Sequence, residues 1–516
     1  MLDDETEPLS LLRKLRRETL AARSRVYRAA AATPLEVLHP ATEGELLIKR
    51  EDLSPIKAYK WRGAFNRMAN LTEAERARGV VAASAGNHAQ GVALGAKKLG
   101  IRARIYMPRS TPGVKQAAVR AHGGEWVEIY LTGDSYDDAL QEAKEDSQSS
   151  GAVYLHAYDD LEVMAGQATL ADEVVTAGQG DIQVAFVQIG GGGMAAGVAA
   201  WLKLVYPKIH LVAVEGVGQA CYQAALEAGK PVRLPQVDLF CDGTAVRQIG
   251  DLPFALLPEL IDEHLTVSNE EVCEAIRYAW DHLRCIPEPS GAMGLAGYLQ
   301  TADRWKNQRA LAILCGANID FGQLGVIAAR TGVGTGRRFQ WRIRISEEPG
   351  SMLRLLEKGF AGQPIYEFLY GKTDQYEAWP VFGFSCPPEE QENMAARLRE
   401  NGYAFEDASE DPDVQHGLVP YEAALMENPV FLNLEFYERS GALLDFLNQT
   451  IRGKANFCFF KYRYSGERVG RALIGLEFPS SREREVFLRD LPVQGQGYRH
   501  CAPVAKTAVQ RLLKRK

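Results

Sequence analysis

No stretch of the 516-residue chain approaches the run of about 20 apolar residues that a membrane-spanning helix needs, so no membrane partner is expected. None of the eight cysteines forms a CxxC pair, which argues against a disulfide framework and against a zinc ribbon. There is no basic face of the kind that binds nucleic acid: 59 basic and 66 acidic residues are interspersed, for a net charge of -7. The tail Lys514-Arg515-Lys516 is too short to change that and reads as a solvated terminus. The opening residues, with Asp3, Asp4, Glu5 and Glu7, lack the basic and apolar pattern of a secretory or transit peptide, so a cytoplasmic location is the expectation.

What is present is an ordinary globular composition, 46% hydrophobic and 24% charged, in a chain too long for one core. Glu7 to Ala32 reads as a helix stopped by Thr33-Pro34. Beyond it, short apolar runs alternate with helical patterns: Leu46–Ile48, Val80–Ala83, Ala103–Met107, Val184–Ile189, Ile209–Val214 and Leu311–Leu314 read as buried strands. That alternation predicts an α/β fold with parallel sheets wrapped by helices, whose ligands bind beyond the carboxyl ends of the strands.

Composition changes at Thr331 to Arg338, where three glycines and two arginines suggest a linker over 331–339. Two α+β units are expected after it, at 340–412 and 430–505. Alternation at Gln340–Ile345 followed by Glu347-Glu348-Pro349-Gly350-Ser351 returns some ninety residues on, as Phe431–Phe436 followed by Glu438-Arg439-Ser440-Gly441-Ala442. Phe368 and Tyr370 correspond to Phe460 and Tyr462, and Gly402-Tyr403 to Gly497-Tyr498. A repeat of strand-helix-strand-strand-helix-strand order is small and needs a partner face, which a second copy can supply.

Three segments carry chemistry. Gly190-Gly191-Gly192-Gly193 lies between a strand and the helix that starts near Met194. Converging backbone N–H groups and the positive end of a helix suit a phosphate, yet no Lys-Ser/Thr follows to make a Walker loop. Ser84-Ala85-Gly86-Asn87-His88 joins a strand to a helix and suits a carboxylate or oxyanion, though a plain N-cap explains it equally well. Lys57-Ala58-Tyr59-Lys60-Trp61-Arg62 leads into a helix. A lysine buried there among cations and aromatics would lose its proton readily, as an imine-forming amine must; as bare sequence the string could be a solvated face.

In this order the segments resemble the fold-type II pyridoxal-phosphate enzymes, and among them the threonine and serine dehydratases. Lys49-Arg50-Glu51-Asp52, Glu288-Pro289-Ser290-Gly291-Ala292 and Cys315-Gly316-Ala317-Asn318 fit the same pattern, which runs from about Thr33 to Thr331. The resemblance implies a catalytic domain over 1–330, built as two subdomains, with pyridoxal phosphate as cofactor and no metal. It implies that Lys60 carries the cofactor, that Asn87 hydrogen-bonds its phenolic oxygen, and that Gly190, Gly191, Gly192, Gly193 and Met194 hold its phosphate. Cys315 would face the pyridine nitrogen, and Ser84, Ala85, Gly86, Asn87 and His88 would grip the substrate carboxylate. A neutral thiol at Cys315 cannot hold that nitrogen protonated as a carboxylate would, which favours loss of a β-substituent over transamination. Two departures from the common pattern are Ala58, where many members have Ser, and the additional Lys57.

The two C-terminal units are similar to the ACT-like regulatory domains of biosynthetic threonine deaminases. That similarity implies L-threonine as substrate, with L-serine also accepted, inhibition by isoleucine with valine as antagonist, and a homotetramer. Gly350, Leu353, Gly441 and Leu444, at the two helix starts, are the candidate effector contacts. Serine dehydratase or racemase, threonine synthase, and a non-catalytic amino-acid sensor are the alternatives; the doubled tail and the set Lys60, Asn87 and Cys315 stand against them.

Overall fold

The computed structural model describes residues 8–39, 44–331, 338–360, 362–437, 442–451, 455–464, 469–495, 498–505 and 507–509. The chain forms two compact units, Met1–Thr331 and Gly332–Lys516. Among the described residues no helix is long and apolar enough to cross a membrane.

Among the described residues the first unit contains ten strands: β1 (Leu35–Leu38), β2 (Glu45–Arg50), β3 (Val80–Ala83), β4 (Ala103–Met107), β5 (Val127–Leu131), β6 (Val153–Tyr154), β7 (Val184–Gln188), β8 (His210–Gly216), β9 (Glu263–Val267) and β10 (Arg309–Leu314). They make two sheets, in the order β1-β2-β10-β7-β8-β9 and β5-β4-β3-β6. Every pairing is parallel except that of β1 with β2. The central strands β3 and β7 are buried at every residue, as expected where helices cover both faces. Their unbroken apolar runs made them visible in the sequence. β5, at an edge, is half-exposed along its length and carries no such signature.

Helix ends obey local rules. The first helix is Pro8–Ala29, shorter at its C-terminal end than the pattern suggests, while Glu7 lies outside the described residues. Asp160 caps the helix Leu161–Thr176 by accepting from the N–H groups of Glu162 and Val163. Ser268 and Glu271 form a reciprocal capping box at Asn269–Leu283.

In the second unit, the first repeat comprises β11 (Arg338–Ile343), helix Ser351–Lys358, β13 (Ile365–Gly371), β15 (Val381–Ser385), helix Pro388–Glu400 and β16 (Phe405–Asp407), with β12 (Ile345–Ser346) and β14 (Glu377–Ala378) as a small side ribbon. The second comprises β17 (Val430–Tyr437), helix Ala442–Phe446, β18 (Asn456–Arg463), β19 (Val469–Glu477), helix Ser481–Asp490 and β20 (Tyr498–Pro503). All eight main strands form one antiparallel sheet in the order β16-β11-β15-β13-β18-β19-β17-β20. Each repeat contributes the order fourth, first, third, second, and the two second strands, β13 and β18, join them edge to edge. Residues 332–337 of the expected linker lie outside the described residues. Arg338 and Phe339, expected within it, begin β11 because Phe339 is buried in the core and pairs with Phe384.

Candidate active site

Four loops meet beyond the carboxyl ends of β2, β3, β7 and β10. β2 leads through a short turn to Lys60, β3 to Asn87, β7 to the tetraglycine, and β10 directly to Cys315. Lys60, Asn87, Gly190, Gly191, Gly192, Gly193, Met194 and Cys315 all line one pocket, completed by Tyr59, Tyr158, Gln188, Gly243, Thr244, Glu288 and Ser290. The loops are tied to each other through the backbone. The Tyr59 N–H donates to the Cys315 carbonyl at 3.1 Å, and the Ala317 N–H to the Lys57 carbonyl at 2.8 Å.

Lys60 stands at the N-cap of helix Trp61–Ala69, and its Nζ donates to the Gly243 carbonyl at 3.3 Å. Burial lowers the proton affinity of this amine, with Glu288, Asp242 and Cys315 acting in the opposite sense. Lys57, three residues earlier, is exposed and adopts a left-handed φ of 58°. Ala58 is fully buried in an apolar cluster with Ile56, Trp61 and Phe65, where a hydroxyl would need a partner of its own.

The tetraglycine precedes helix Gly193–Val205, whose N-cap, Gly192, has φ +89° and offers no side-chain cap. The amides of the first helical turn therefore lack intrahelical acceptors and face the pocket uncapped. A Cβ on Gly191 would lie 2.2 Å from the Tyr158 ring, so the close approach of this loop to Tyr158 requires glycine. An uncapped helix start with glycine backbone, in a pocket that also holds a free amine, fits the phosphate and the aldehyde of pyridoxal phosphate.

Cys315 is buried, 3% exposed, with its thiol 3.5 Å from the Met194 sulfur. Burial, reinforced by Glu51 and Glu288, pushes the thiol far above its ordinary range, so it is neutral. Of the segment Ser84 to His88, only Asn87 lines the pocket. Ser84 accepts from the Gly86 N–H at 3.2 Å, and a Cβ on Gly86 would meet nothing within 4 Å, leaving open space beside the loop. His88 turns away, its Nε2 at 3.0 Å from the Leu155 carbonyl; burial pushes it down to about 3, so it is neutral.

In the second unit Gly350 caps its helix with φ +87°, and Leu353 and Leu444 are half-buried against the core. Gly441 lies outside the described residues.

Glu288 and Asn318 belong to the site although sequence reasoning placed them only within motifs. Glu288 Oε1 accepts from Asn87 Nδ2 at 2.7 Å, its Oε2 accepts from the Asn318 N–H at 3.2 Å, and Asn318 Nδ2 donates to Asn87 Oδ1 at 2.7 Å. Burial, with Asp242 nearby, raises the Glu288 carboxyl to about 7. A glutamate directly before a helix-opening proline, with no cation next to it in sequence, was the signal available.

A family model described as pyridoxal-phosphate dependent enzyme matches residues 26–316, and one described as the C-terminal regulatory domain of threonine dehydratase matches residues 422–505. The chain is 38% identical over 471 residues to the L-threonine dehydratase biosynthetic IlvA of Haemophilus influenzae, covering 90% of each. It is 38% identical over 465 residues to the Escherichia coli protein of the same name, covering 88% of this chain and 89% of that one. Among solved structures it matches the processed form of threonine deaminase isoform 2 from Solanum lycopersicum at 39% identity and a TM-score of 0.59, over 62% of this chain and 89% of that chain. Maize serine racemase matches at 29% identity and a TM-score of 0.55, over 60% of this chain and 95% of that chain. With a catalytic family model covering more than half of it and relatives of this identity along nearly its whole length, the chain belongs to the biosynthetic threonine dehydratase family of pyridoxal-phosphate-dependent enzymes.

Proposed function

We propose that the chain deaminates L-threonine, and L-serine as a second substrate, to a 2-oxo acid and ammonia by β-elimination, as the first step of isoleucine biosynthesis. The observation that carries this reading is one pocket holding a lysine amine of lowered proton affinity, an uncapped helix start and a neutral thiol. Lys60 would hold pyridoxal phosphate through Nζ, with Gly190 to Met194 on its phosphate, Asn87 on its phenolic oxygen and Cys315 against its ring nitrogen. When bound, that group supplies an electron sink for the pair left on the substrate α-carbon.

The protein's own residues do the rest. Lys60, its proton affinity lowered by burial, is suited to remove the α-proton as a neutral amine. The neutral Cys315 avoids charging the ring nitrogen, which keeps electron density near the α-carbon and favours departure of the β-hydroxyl. The backbone of the turn from Ser84 to His88, at a helix start beside open space, would receive the substrate carboxylate, with the His88 imidazole turned away from it.

The segments 340–412 and 430–505 would form the regulatory part, with isoleucine inhibiting and valine antagonising it. Gly350, Leu353, Gly441 and Leu444 would be effector contacts, and the assembly would be a homotetramer. A single assay tests the core of this: purified protein with threonine or serine, with and without isoleucine, followed for 2-oxo acid. Formation of 2-oxobutanoate, slowed by isoleucine, is expected. D-Serine accumulation without oxo acid would mark a racemase and overturn the proposal.

A further inference from the structure

Glu288 is a buried carboxylate that the proposed reaction leaves without a task. Its surroundings give it one. The chain of hydrogen bonds begins at the Ile56 carbonyl, which can only accept. It therefore receives Asn318 Nδ2, at 2.8 Å, and so sets which end of the Asn318 amide faces inward. The other N–H of that nitrogen points at Asn87, so the atom of Asn87 that meets it, at 2.7 Å, must be the oxygen. Asn87 Nδ2 then faces Glu288 Oε1 at 2.7 Å. The second carboxylate oxygen accepts from the Asn318 N–H at 3.2 Å. Only a carboxylate accepts at both atoms; a glutamine in the same place would set its NH2 against one of the two donors. One N–H of Asn87 Nδ2 is left over, and Asn87 lines the pocket with Lys60.

The carboxylate has no room to look elsewhere. A Cβ on Gly316 would lie 2.5 Å from Glu288 Oε1, so glycine at 316 is what lets the carboxylate sit there. Its own N–H is held by the Gly316 carbonyl at 2.9 Å.

We propose that Glu288 and Asn318 are positioning residues that lock the Asn87 amide with its remaining N–H directed into the pocket, so that it meets the cofactor's phenolic oxygen. This rests on the reading that Asn87 faces that oxygen. The lock is strongest while Glu288 is a carboxylate. The groups whose charge acts on Glu288 are Asp242, which favours protonation, and Lys60, which opposes it. Loss of the carboxylate as pH falls through neutrality loosens the amide, giving the enzyme an acid limb near its upward-shifted titration.

The test uses the holoenzyme and the variants Asn87→Ala, Glu288→Gln, Asn318→Ala and the double variant Asn87→Ala/Glu288→Gln. Three quantities are read: the pH midpoint of the bound cofactor's visible absorbance, the dissociation constant of the cofactor, and kcat against KM for threonine. Asn87→Ala is expected to move the absorbance midpoint by on the order of one unit and to weaken cofactor binding about tenfold, the effect of one hydrogen bond. Glu288→Gln and Asn318→Ala, which reach the same amide from opposite sides, are expected to give the same shift. Glu288→Gln is expected to add almost nothing to Asn87→Ala. An unshifted midpoint in Asn87→Ala overturns the reading of Asn87 itself, and the proposal with it. A shifted midpoint in Asn87→Ala with none in Glu288→Gln or Asn318→Ala overturns the positioning role alone. Additive effects in the double variant also overturn it, because Glu288 would then act directly.

Discussion

Two lysines three residues apart, Lys57 and Lys60, are equivalent on paper and opposite in the fold. Lys57 is anchored through its backbone: its N–H donates to the Ser54 carbonyl and its carbonyl accepts from Ala317, while the residue itself is exposed. Lys60 reaches into the pocket. Lys57→Ala should therefore retain the cofactor absorbance and turnover within about twofold, in line with a surface change of under 0.5 kcal/mol. Lys60→Ala should lose both; retention of the lysine-bound absorbance in Lys60→Ala would remove its assignment. The type of residue needed was legible in the sequence because its motif is local. Glu288 was not legible as a partner of Asn87, since 201 positions separate them and spacing says nothing about a contact made by two loops. His88 was legible as part of a motif but its direction was not: a buried imidazole turned to a carbonyl looks the same in sequence as one facing substrate. Its lowered titration gives a pH prediction. The unfolded chain takes up a proton near 6.5 and the folded chain only near 3, so His88 favours folding above 6.5 and loses that contribution as pH falls through the interval. The unfolding midpoint of wild type should fall more steeply between pH 6.5 and 4 than that of His88→Gln. Parallel curves would show that His88 is not buried in neutral form.

At the scale of elements, the helix that begins after Lys60 is held by a buried set of charges. Arg62 donates to both oxygens of Glu51 at 2.9 Å, and to Glu173 at 2.5 and 2.8 Å. Lys49 Nζ reaches Glu173 and Thr33 at 2.6 Å. Two cations and two carboxylates, all buried, balance in charge and satisfy one another, the condition under which such a cluster is tolerable. The approach is close because glycines cross there: a Cβ on Gly166 would be 2.6 Å from the Gly63 Cα. Lys49, Glu51 and Arg62 were visible in the sequence as motif residues. Glu173 was hidden in a helix that reads as merely apolar, since the pairing spans 111 positions from Arg62. Removing one member leaves a buried charge unmatched, so Arg62→Ala should cost about 3–5 kcal/mol in denaturant unfolding. A cost below about 1 kcal/mol would mean that the cluster is not closed to water.

At the scale of the molecule, the repeat legible in the second half proves to be the joint of that half. Phe368 pairs with Tyr462 and Tyr370 with Phe460 across β13 and β18, so the residues that correspond in sequence are exchanged by the approximate symmetry of the sheet. The rings of Phe368 and Phe460 stack at 4.1 Å, and both are fully buried. Sequence identity survived here because one aromatic pair must serve both repeats; elsewhere any apolar side chain fills the core, and the match is sparse. Successive residues of β13 face opposite cores: Phe368 and Tyr370 join the large cluster, while Leu369 packs with Val381 and Val414 on the other side. Each repeat alone would therefore expose an aromatic strand edge, so the two are expected to unfold together. Phe460→Ala should remove about 3–5 kcal/mol from the second unit, seen as an earlier unfolding step. Threonine turnover without effector should stay near the wild-type rate, because unit one has cores of its own. If isoleucine is an effector, as proposed, and acts by favouring one state of this joined sheet, its inhibition should weaken by several-fold, since such couplings are worth only about 1–3 kcal/mol. An unchanged inhibition curve in a Phe460→Ala protein with a destabilised second unit would show that the joint takes no part in regulation.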